Sequence, residues 1–187
     1  MIVVNLFGGP GCGKSTGAAY VFSRLKEAGV NVELVTEFAK DLTWDKSDAL
    51  NDQLYVFANQ FHRLYRCERS GVDVAVTDSP LLLSRLYRDK HSPFFAEPFT
   101  DYVEYCHNFY DNLNFFIRRV KPYNPCGRRE DEASAKAMDK KMIAVLNGFE
   151  VLHEVDGMTT GYEEIVQCVL QLPGVKRAQP GESRKMT

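Results

Sequence analysis

The sequence predicts an α/β fold, a three-layer α/β/α sandwich in which helices cover both faces of a five-stranded, mainly parallel sheet. Short apolar runs alternate along the chain with segments whose apolar residues recur at helical spacing, and this alternation is typical of parallel βαβ units. A glycine-rich segment breaks the chain directly after the first apolar run. Ligands of such sheets bind beside the carboxyl ends of the strands, so functional residues are expected where the predicted strands end.

Short apolar runs are expected to form the strands. The first of them is β-branched, as expected for a strand buried on both faces. The third ends at an acidic residue and the fourth runs into a basic segment. In chain order the predicted strands cover residues 2–7, 32–36, 72–77, 113–117 and 151–155.

The longer segments between these runs are expected to be helices. The first has apolar residues at helical spacing and is closed by Gly29, a residue that commonly ends helices. The second is amphipathic, and the fifth has acidic residues in its first turn, where the helix dipole favours them. In chain order the predicted helices cover residues 14–28, 52–66, 81–87, 94–110, 130–146 and 162–172.

The composition is that of a globular protein and excludes several function classes. The chain has 187 residues, of which 44% are hydrophobic, and a net charge of −2, so one domain over residues 1–172 is expected, followed by a flexible tail over residues 173–187. No global basic field attracts nucleic acid. No apolar run is long enough to span a membrane and no signal peptide is evident. The cysteines show no CxxC pairing, so reduced thiols and a cytoplasmic location are expected.

A phosphate-binding loop, the P-loop, follows the first strand. The segment GGPGCGKST matches G-x-x-x-x-G-K-[ST], with a strand before it and a helix after it. Its glycines let backbone N–H groups turn toward a phosphate, and the helix N-terminus adds partial positive charge. Lys14 can reach the β- and γ-phosphates of a nucleotide, and the Ser15 hydroxyl can bind Mg²⁺. The expected nucleotide-binding residues are Gly8, Gly9, Pro10, Gly11, Cys12, Gly13, Lys14, Ser15 and Thr16.

One residue of this loop has two interpretations. Cys12 lies between two of the glycines. A small side chain that fills space is the simpler interpretation. The alternative is a redox-sensitive thiol near bound phosphate.

Two carboxylates are expected at the ends of neighbouring strands. Asp78 follows the third strand, a position from which a carboxylate holds Mg²⁺ directly or through water. It can also cap the helix that Ser79 and Pro80 introduce. Glu37 follows the second strand, where it can orient or deprotonate an attacking hydroxyl, the alternative being a solvated glutamate at a helix start.

A basic segment follows the fourth strand. A short lid over residues 118–131 can close over a transferring phosphoryl group and exclude water. The alternatives are a solvated loop and a contact to nucleic-acid phosphates, to which the basic helix carrying Arg66 and Arg69 can add. The cations of the segment are Arg118, Arg119, Lys121, Arg128 and Arg129.

Aromatic residues concentrate between the second and fourth strands. Most of them are expected to pack in the core. A few can stack on a base, and Gln53 or Gln60 can then read the edge of that base.

Four segments resemble the P-loop nucleoside and nucleotide kinases, with a closer likeness to the nicotinamide riboside kinase-like branch and its small phage-encoded members. The segments are GGPGCGKST, VTEFAKDLTW, VTDSPLLLS and RRVKPYNPCGRREDE. The resemblance implies a P-loop NTPase fold, with ATP and Mg²⁺ as cofactors. It makes Glu37 the acceptor-side carboxylate, Asp78 the Mg²⁺ carboxylate and Arg128 or Arg129 the lid cation. It also implies a phage setting in the host cytoplasm, where kinases of this type phosphorylate 5-hydroxymethyluracil within DNA.

Two functions are compatible with these features. The first is a kinase that transfers the γ-phosphate of ATP to a hydroxyl of a pyrimidine nucleotide. The 5-hydroxymethyl group of 5-hydroxymethyluracil in DNA is the favoured acceptor, and a free nucleoside or nucleotide competes closely with it. The second is an NTPase that acts through a protein or DNA partner. Against it, the chain lacks the N-K-x-D segment of GTPases, and its third strand lacks the D-E pair of motor ATPases.

One position departs from the kinase pattern. Ser79 and Pro80 follow Asp78, where many nucleoside kinases carry an arginine. Charge that develops during transfer must then be met by Lys14 and by the lid.

Overall fold

Five parallel strands form a single sheet in a computed structural model that describes residues 1–87, 97–123, 131–146, 149 and 152–175. Arg128 and Arg129, the rest of the predicted lid between residues 124 and 130, and the tail from residue 176 lie outside the described residues. The strands are β1 (Ile2–Phe7), β2 (Val32–Val35), β3 (Val74–Thr77), β4 (Asp111–Arg118) and β5 (Leu152–Asp156). Their order in the sheet is β2-β3-β1-β4-β5. The predicted fold class is therefore confirmed.

The helices connect the strands and cover both faces of the sheet. Two short 3₁₀ helices, Asp48–Asn51 and Leu81–Arg85, accompany the α-helices. Among the described residues, none of the helices combines the length and hydropathy that crossing a membrane demands. The α-helices are α1 (Lys14–Glu27), α2 (Phe38–Trp44), α3 (Gln53–Arg69), α4 (Glu97–Asn108), α5 (Glu132–Leu146) and α6 (Thr159–Leu170).

Besides the 3₁₀ helix Asp48–Asn51, which the sequence prediction lacks, two elements differ from it for identifiable reasons. Helix α2 was not predicted, because Leu42 is its only buried residue and Trp44 is 71% exposed, so no apolar stripe marks it. The segment after β3 is a 3₁₀ helix rather than an α-helix. Its residues Leu81 to Ser84 are all buried, so it lacks the polar face of an amphipathic helix.

The side chains of β1 point alternately into two hydrophobic cores, one on each face of the sheet. Val4 and Leu6 point into the core that α1 and α6 cover. Val3 and Phe7 point into the core beneath α3, α4 and α5. Complete burial of each such side chain contributes about 1.5–3 kcal/mol, so β1 is fixed from both sides of the sheet.

The sheet register brings three loops to one edge. Strand β1 pairs with β3 through Asn5 and Thr77, and β2 pairs with β3 through Val35 and Thr77. Because the pairings are parallel, the chain leaves all three strands at the same end of the sheet, β1 two residues beyond the others. The P-loop and the residues that follow β2 and β3 therefore lie side by side.

A buried histidine makes the stability of the fold depend on pH. His107 is 3% exposed and its ring packs edge-to-face on Phe149 at 5.6 Å. Burial lowers the pKa of His107 from 6.5 to about 4, because the charged imidazolium loses its hydration. Between these two values the unfolded chain binds a proton that the folded chain excludes, so stability falls as the pH falls from 6.5 to about 4.

We expect His107→Leu to remove this part of the pH dependence, which amounts to roughly 3 kcal/mol. Urea unfolding of the wild type and the variant between pH 8 and pH 4 measures it. His62→Gln, which changes an exposed histidine, is the control and should keep the wild-type slope. Equal pH slopes for wild type and His107→Leu would contradict the assignment.

Candidate active site

The P-loop is a tight turn between β1 and α1, and its backbone conformation requires glycine at several positions. Gly8, Gly11 and Gly13 have φ angles of 143°, 82° and 109°, which L-residues with side chains rarely adopt. Gly13 is also the residue that precedes α1. Free N–H groups at the start of a helix form an anion site, so this backbone conformation creates a cradle for phosphate.

The side chain of Lys14 folds back over the start of the loop. Its Nζ donates to the carbonyl oxygen of Gly8 at 2.6 Å and to that of Gly9 at 3.2 Å. Ser15 and Thr16 are exposed in the first turn of α1. Cys12 is 3% exposed and packs into the core beneath the loop, which agrees with its interpretation as a filler.

Helix α6 supports the loop from behind. The hydroxyl of Tyr162 donates to the carbonyl oxygen of Gly13 at 3.0 Å. The ring of Tyr162 lies so close to α1 that a Cβ at Gly17 would be 2.6 Å from Tyr162 Cε1. Tyr162 was not among the predicted site residues, because a tyrosine in an amphipathic helix gives no local sign of such a distant contact.

Asp78 is a buried carboxylate directly after β3. The residue is 6% exposed, and its Oδ1 has no hydrogen-bond partner among the described residues. The alternative cap role is not observed there, since the following 3₁₀ helix begins after Pro80 and the N–H of Ser79 donates to the Thr77 hydroxyl at 3.1 Å. An unpaired buried carboxylate oxygen is costly, and a cation or its hydration water would satisfy it.

Glu37 is the residue before α2, and its backbone is held on both sides by Gln60. The amide of Gln60 accepts from the N–H of Phe38 at 2.9 Å and donates to the carbonyl oxygen of Thr36 at 3.4 Å. Arg63 adds a bond to the same Thr36 carbonyl at 3.1 Å. The half-buried Glu37 side chain therefore starts from a well-defined backbone.

Neither glutamine matches the base-reading role considered from the sequence. Gln60 is 4% exposed and both ends of its amide bond to the backbone around Glu37. The Nε2 of Gln53 donates to the Ser84 hydroxyl at 3.1 Å. A buried amide that is already bonded loses those bonds when it turns to a ligand.

The basic end of α3 lies away from the P-loop. Arg66 and Arg69 line a shallow cavity with Tyr65. This end of α3 leads into β3, since the N–H of Val72 donates to the Cys67 carbonyl, so it lies at the amino ends of the strands. These arginines therefore lie at the opposite end of the strands from Arg118 and Arg119, which are described cations of the predicted lid.

A family model described as an AAA domain matches residues 3–164. The chain belongs to the AAA domain family. No curated protein sequence matches it. Among solved structures it is similar to NadR protein in complex with NR, with a TM-score of 0.69 and 19% identity. The match covers 96% of this chain and 54% of the NadR chain, so the chain spans about half the length of that protein, and the likeness shows a shared P-loop fold.

Helix α5 of this AAA domain contacts the P-loop, which the sequence did not indicate. Asp139 accepts a hydrogen bond from the N–H of Gly9, and the sulfur of Met142 lies 2.9 Å from the nitrogen of Gly8. Arg119 donates to the carbonyl oxygen of Pro10 at 2.8 Å. The first residues of the loop are therefore fixed by α5 and by the residue after β4.

We expect Gln60→Leu to lower the free energy of unfolding by about 1–3 kcal/mol, because it leaves the Phe38 N–H without its acceptor. Urea unfolding at pH 8 measures the change. The matched control is Asn59→Ala, which removes only a bond to the Tyr55 carbonyl within α3 and should cost less. Equal effects of the two substitutions would argue against a special role for Gln60.

Proposed function

We propose that this AAA domain is an ATP-dependent kinase that transfers the γ-phosphate to a hydroxyl of a pyrimidine nucleotide. The buried Oδ1 of Asp78, which has no hydrogen-bond partner among the residues that the structure describes, is the observation that carries the proposal, because Asp78 lies beside a complete P-loop. A carboxylate at that place fits Mg²⁺, and the exposed hydroxyl of Ser15 on α1 fits the same ion. When bound, Mg²⁺ would neutralise charge on the β- and γ-phosphates.

Different residues of the chain bind the phosphates, accept the proton and cover the site during phosphoryl transfer. Backbone N–H groups from Gly11 to Thr16 hold the phosphates, and Lys14 turns from the loop carbonyls to the β- and γ-oxygens. The acceptor oxygen attacks the γ-phosphorus, the bond to the bridging oxygen of ADP breaks, and Glu37 takes the proton of the acceptor hydroxyl. Arg128 and Arg129 are the proposed lid cations, in a lid over residues 118–131 of a kinase domain spanning residues 1–172.

The 5-hydroxymethyl group of 5-hydroxymethyluracil in phage DNA is the favoured acceptor in this proposal. It is supported by the resemblance of four segments to phage-encoded kinases. A free nucleoside or nucleotide is the alternative acceptor, supported by the fold shared with NadR protein in complex with NR.

A second function is supported by the family itself. The match to an AAA domain over residues 3–164 favours an NTPase that acts through a protein or DNA partner. The two functions differ in where the γ-phosphate goes, because a kinase transfers it to an acceptor and an NTPase releases it to water.

The deciding experiment incubates the protein with γ-labelled ATP and a panel of acceptors. The panel contains free nucleosides, mononucleotides, and DNA with and without 5-hydroxymethyluracil. Label on one acceptor identifies the kinase and its substrate class. Release of free phosphate that DNA or a protein stimulates, with no labelled acceptor, would instead identify the partner-dependent NTPase.

We expect Lys14→Ala to lower phosphoryl transfer by a factor of about 10²–10³, because the cation on the transferring phosphate is lost. The label-transfer assay measures it. Lys26→Ala is the control, since Lys26 lies at the other end of α1 and pairs with Glu33. Wild-type transfer by Lys14→Ala would refute the mechanism.

We expect Glu37→Gln to lower turnover by about 10²–10⁴ while ATP affinity is retained, because the residue acts on the acceptor and not on the nucleotide. Steady-state turnover and calorimetric ATP binding measure the two effects. Glu33→Gln, on strand β2 just before Glu37 in the chain, should change neither. A collapse of ATP affinity in Glu37→Gln would show that the acceptor-side assignment is wrong.

A further inference from the structure

A second cation lies against the P-loop, in addition to Lys14, and its side chain is buried. Arg119 directly follows β4, and its side chain is 8% exposed. Its Nε has no hydrogen-bond partner within the part of the chain that the structure describes. A guanidinium is charged at all relevant pH values, so this is a charged group that is more than nine-tenths buried and only partly satisfied.

Arg119 is held by the loop on one side and by α5 on the other. Its Nη1 donates to the carbonyl oxygen of Pro10 at 2.8 Å, and its Nη2 lies 3.1 Å from Oδ2 of Asp139. The other carboxylate oxygen of Asp139 accepts from the N–H of Gly9. One carboxylate therefore joins the arginine to the loop backbone.

The backbone around this contact allows little adjustment. A Cβ at Gly9 would lie 2.6 Å from the carbonyl oxygen of Ala135, so the loop packs directly on α5. The first turn of α5 is fixed by Asp131, whose Oδ1 accepts from the N–H of Ser134 at 2.7 Å. Asp139 thus presents its carboxylate from a helix whose backbone lies directly against the loop.

Two cations share this short stretch of loop. Lys14 binds the carbonyl oxygens of Gly8 and Gly9, and Arg119 binds the next carbonyl oxygen, that of Pro10. Among the described contacts only one carboxylate, Asp139, pairs with either of them. The stretch therefore has an excess of positive charge, which an anionic ligand would neutralise.

We propose that Arg119 binds the terminal phosphate of a nucleoside triphosphate and that Asp139 is its positioning residue. This inference rests on the nucleotide binding in the proposed function. The lysine of a P-loop reaches the β- and γ-phosphates, and Arg119 attaches to the carbonyl beside those that Lys14 contacts. The planar guanidinium can keep one bond to the protein and offer further N–H groups to phosphate oxygens.

The experiment compares ATP with ADP, so that it needs no acceptor. Calorimetry of the full chain with Mg²⁺ measures both affinities for the wild type, for Arg119→Gln and for the control Arg24→Gln, which breaks an exposed pair with Glu27. We expect Arg119→Gln to weaken ATP about tenfold and ADP less than twofold, and the control to change neither. Equal losses for both nucleotides, or no loss, would overturn the proposal.

Asp139→Asn tests the positioning role. Its amide oxygen can still accept from Gly9, but it no longer pairs with the guanidinium charge. We expect this variant to lose its preference for ATP over ADP. We expect the double variant that also carries Arg119→Gln to bind ATP no more weakly than Arg119→Gln alone. Additive losses would show that Asp139 acts independently of Arg119. If Arg119→Gln does not fold, Arg119→Lys replaces it in the same experiment, and we expect it to lose affinity for ATP but not for ADP.

The outcomes separate this inference from the proposed function. A wild type that prefers ATP through Arg119 but labels no acceptor refutes the kinase and leaves the phosphate contact standing. If instead the wild type labels an acceptor and Arg119→Gln keeps its preference for ATP, the kinase is supported and the phosphate contact of Arg119 is refuted. A wild type that binds neither nucleotide refutes the premise that both share.

Discussion

Strand β1 is paired on both edges and buried on both faces, and the position of the candidate site depends on this. Its neighbours are β3 and β4, and its side chains alternate between two cores. A strand held in this way cannot shift its register without moving its apolar side chains to the wrong layers. The P-loop therefore leaves the sheet at one fixed point, beside the end of β3 and the residue Asp78.

Charge is buried around this point in two different ways. Arg119 and Asp139 form a pair that is also bonded to the loop backbone. Asp78 instead keeps one carboxylate oxygen that has no hydrogen-bond partner in the described part of the chain. Burying ions is expensive unless they are paired and hydrogen-bonded, so both arrangements cost stability in the absence of ligand. In the proposed function, a nucleotide with its Mg²⁺ would relieve each of them, because phosphate oxygens complement the arginine and the cation complements the carboxylate.

The turn that carries Glu37, the proposed acceptor-side residue, is held by hydrogen bonds from a neighbouring helix rather than by a local motif. Gln60 and Arg63 project from α3 and hold the turn that leads from β2 into α2. Helix α2 has a single buried residue, so these bonds supply order that its own packing does not. The position of Glu37 therefore depends on α3. Gln60, which the sequence alone makes a candidate for base recognition, instead forms hydrogen bonds with the backbone on both sides of Glu37.

The sequence by itself determined the order of the five strands and of every α-helix except α2, as well as the P-loop and the carboxylate after β3. These features are local, since strand runs, helical periodicity and glycine spacing are all set by residues close together in the chain. Only the tertiary structure decided which groups surround the loop. Asp139 is separated from Gly9 by 130 positions and stands beside two lysines in α5, where it resembles any solvated charge. Its contact with the loop follows from how α5 packs on the sheet, and no local pattern encodes that packing.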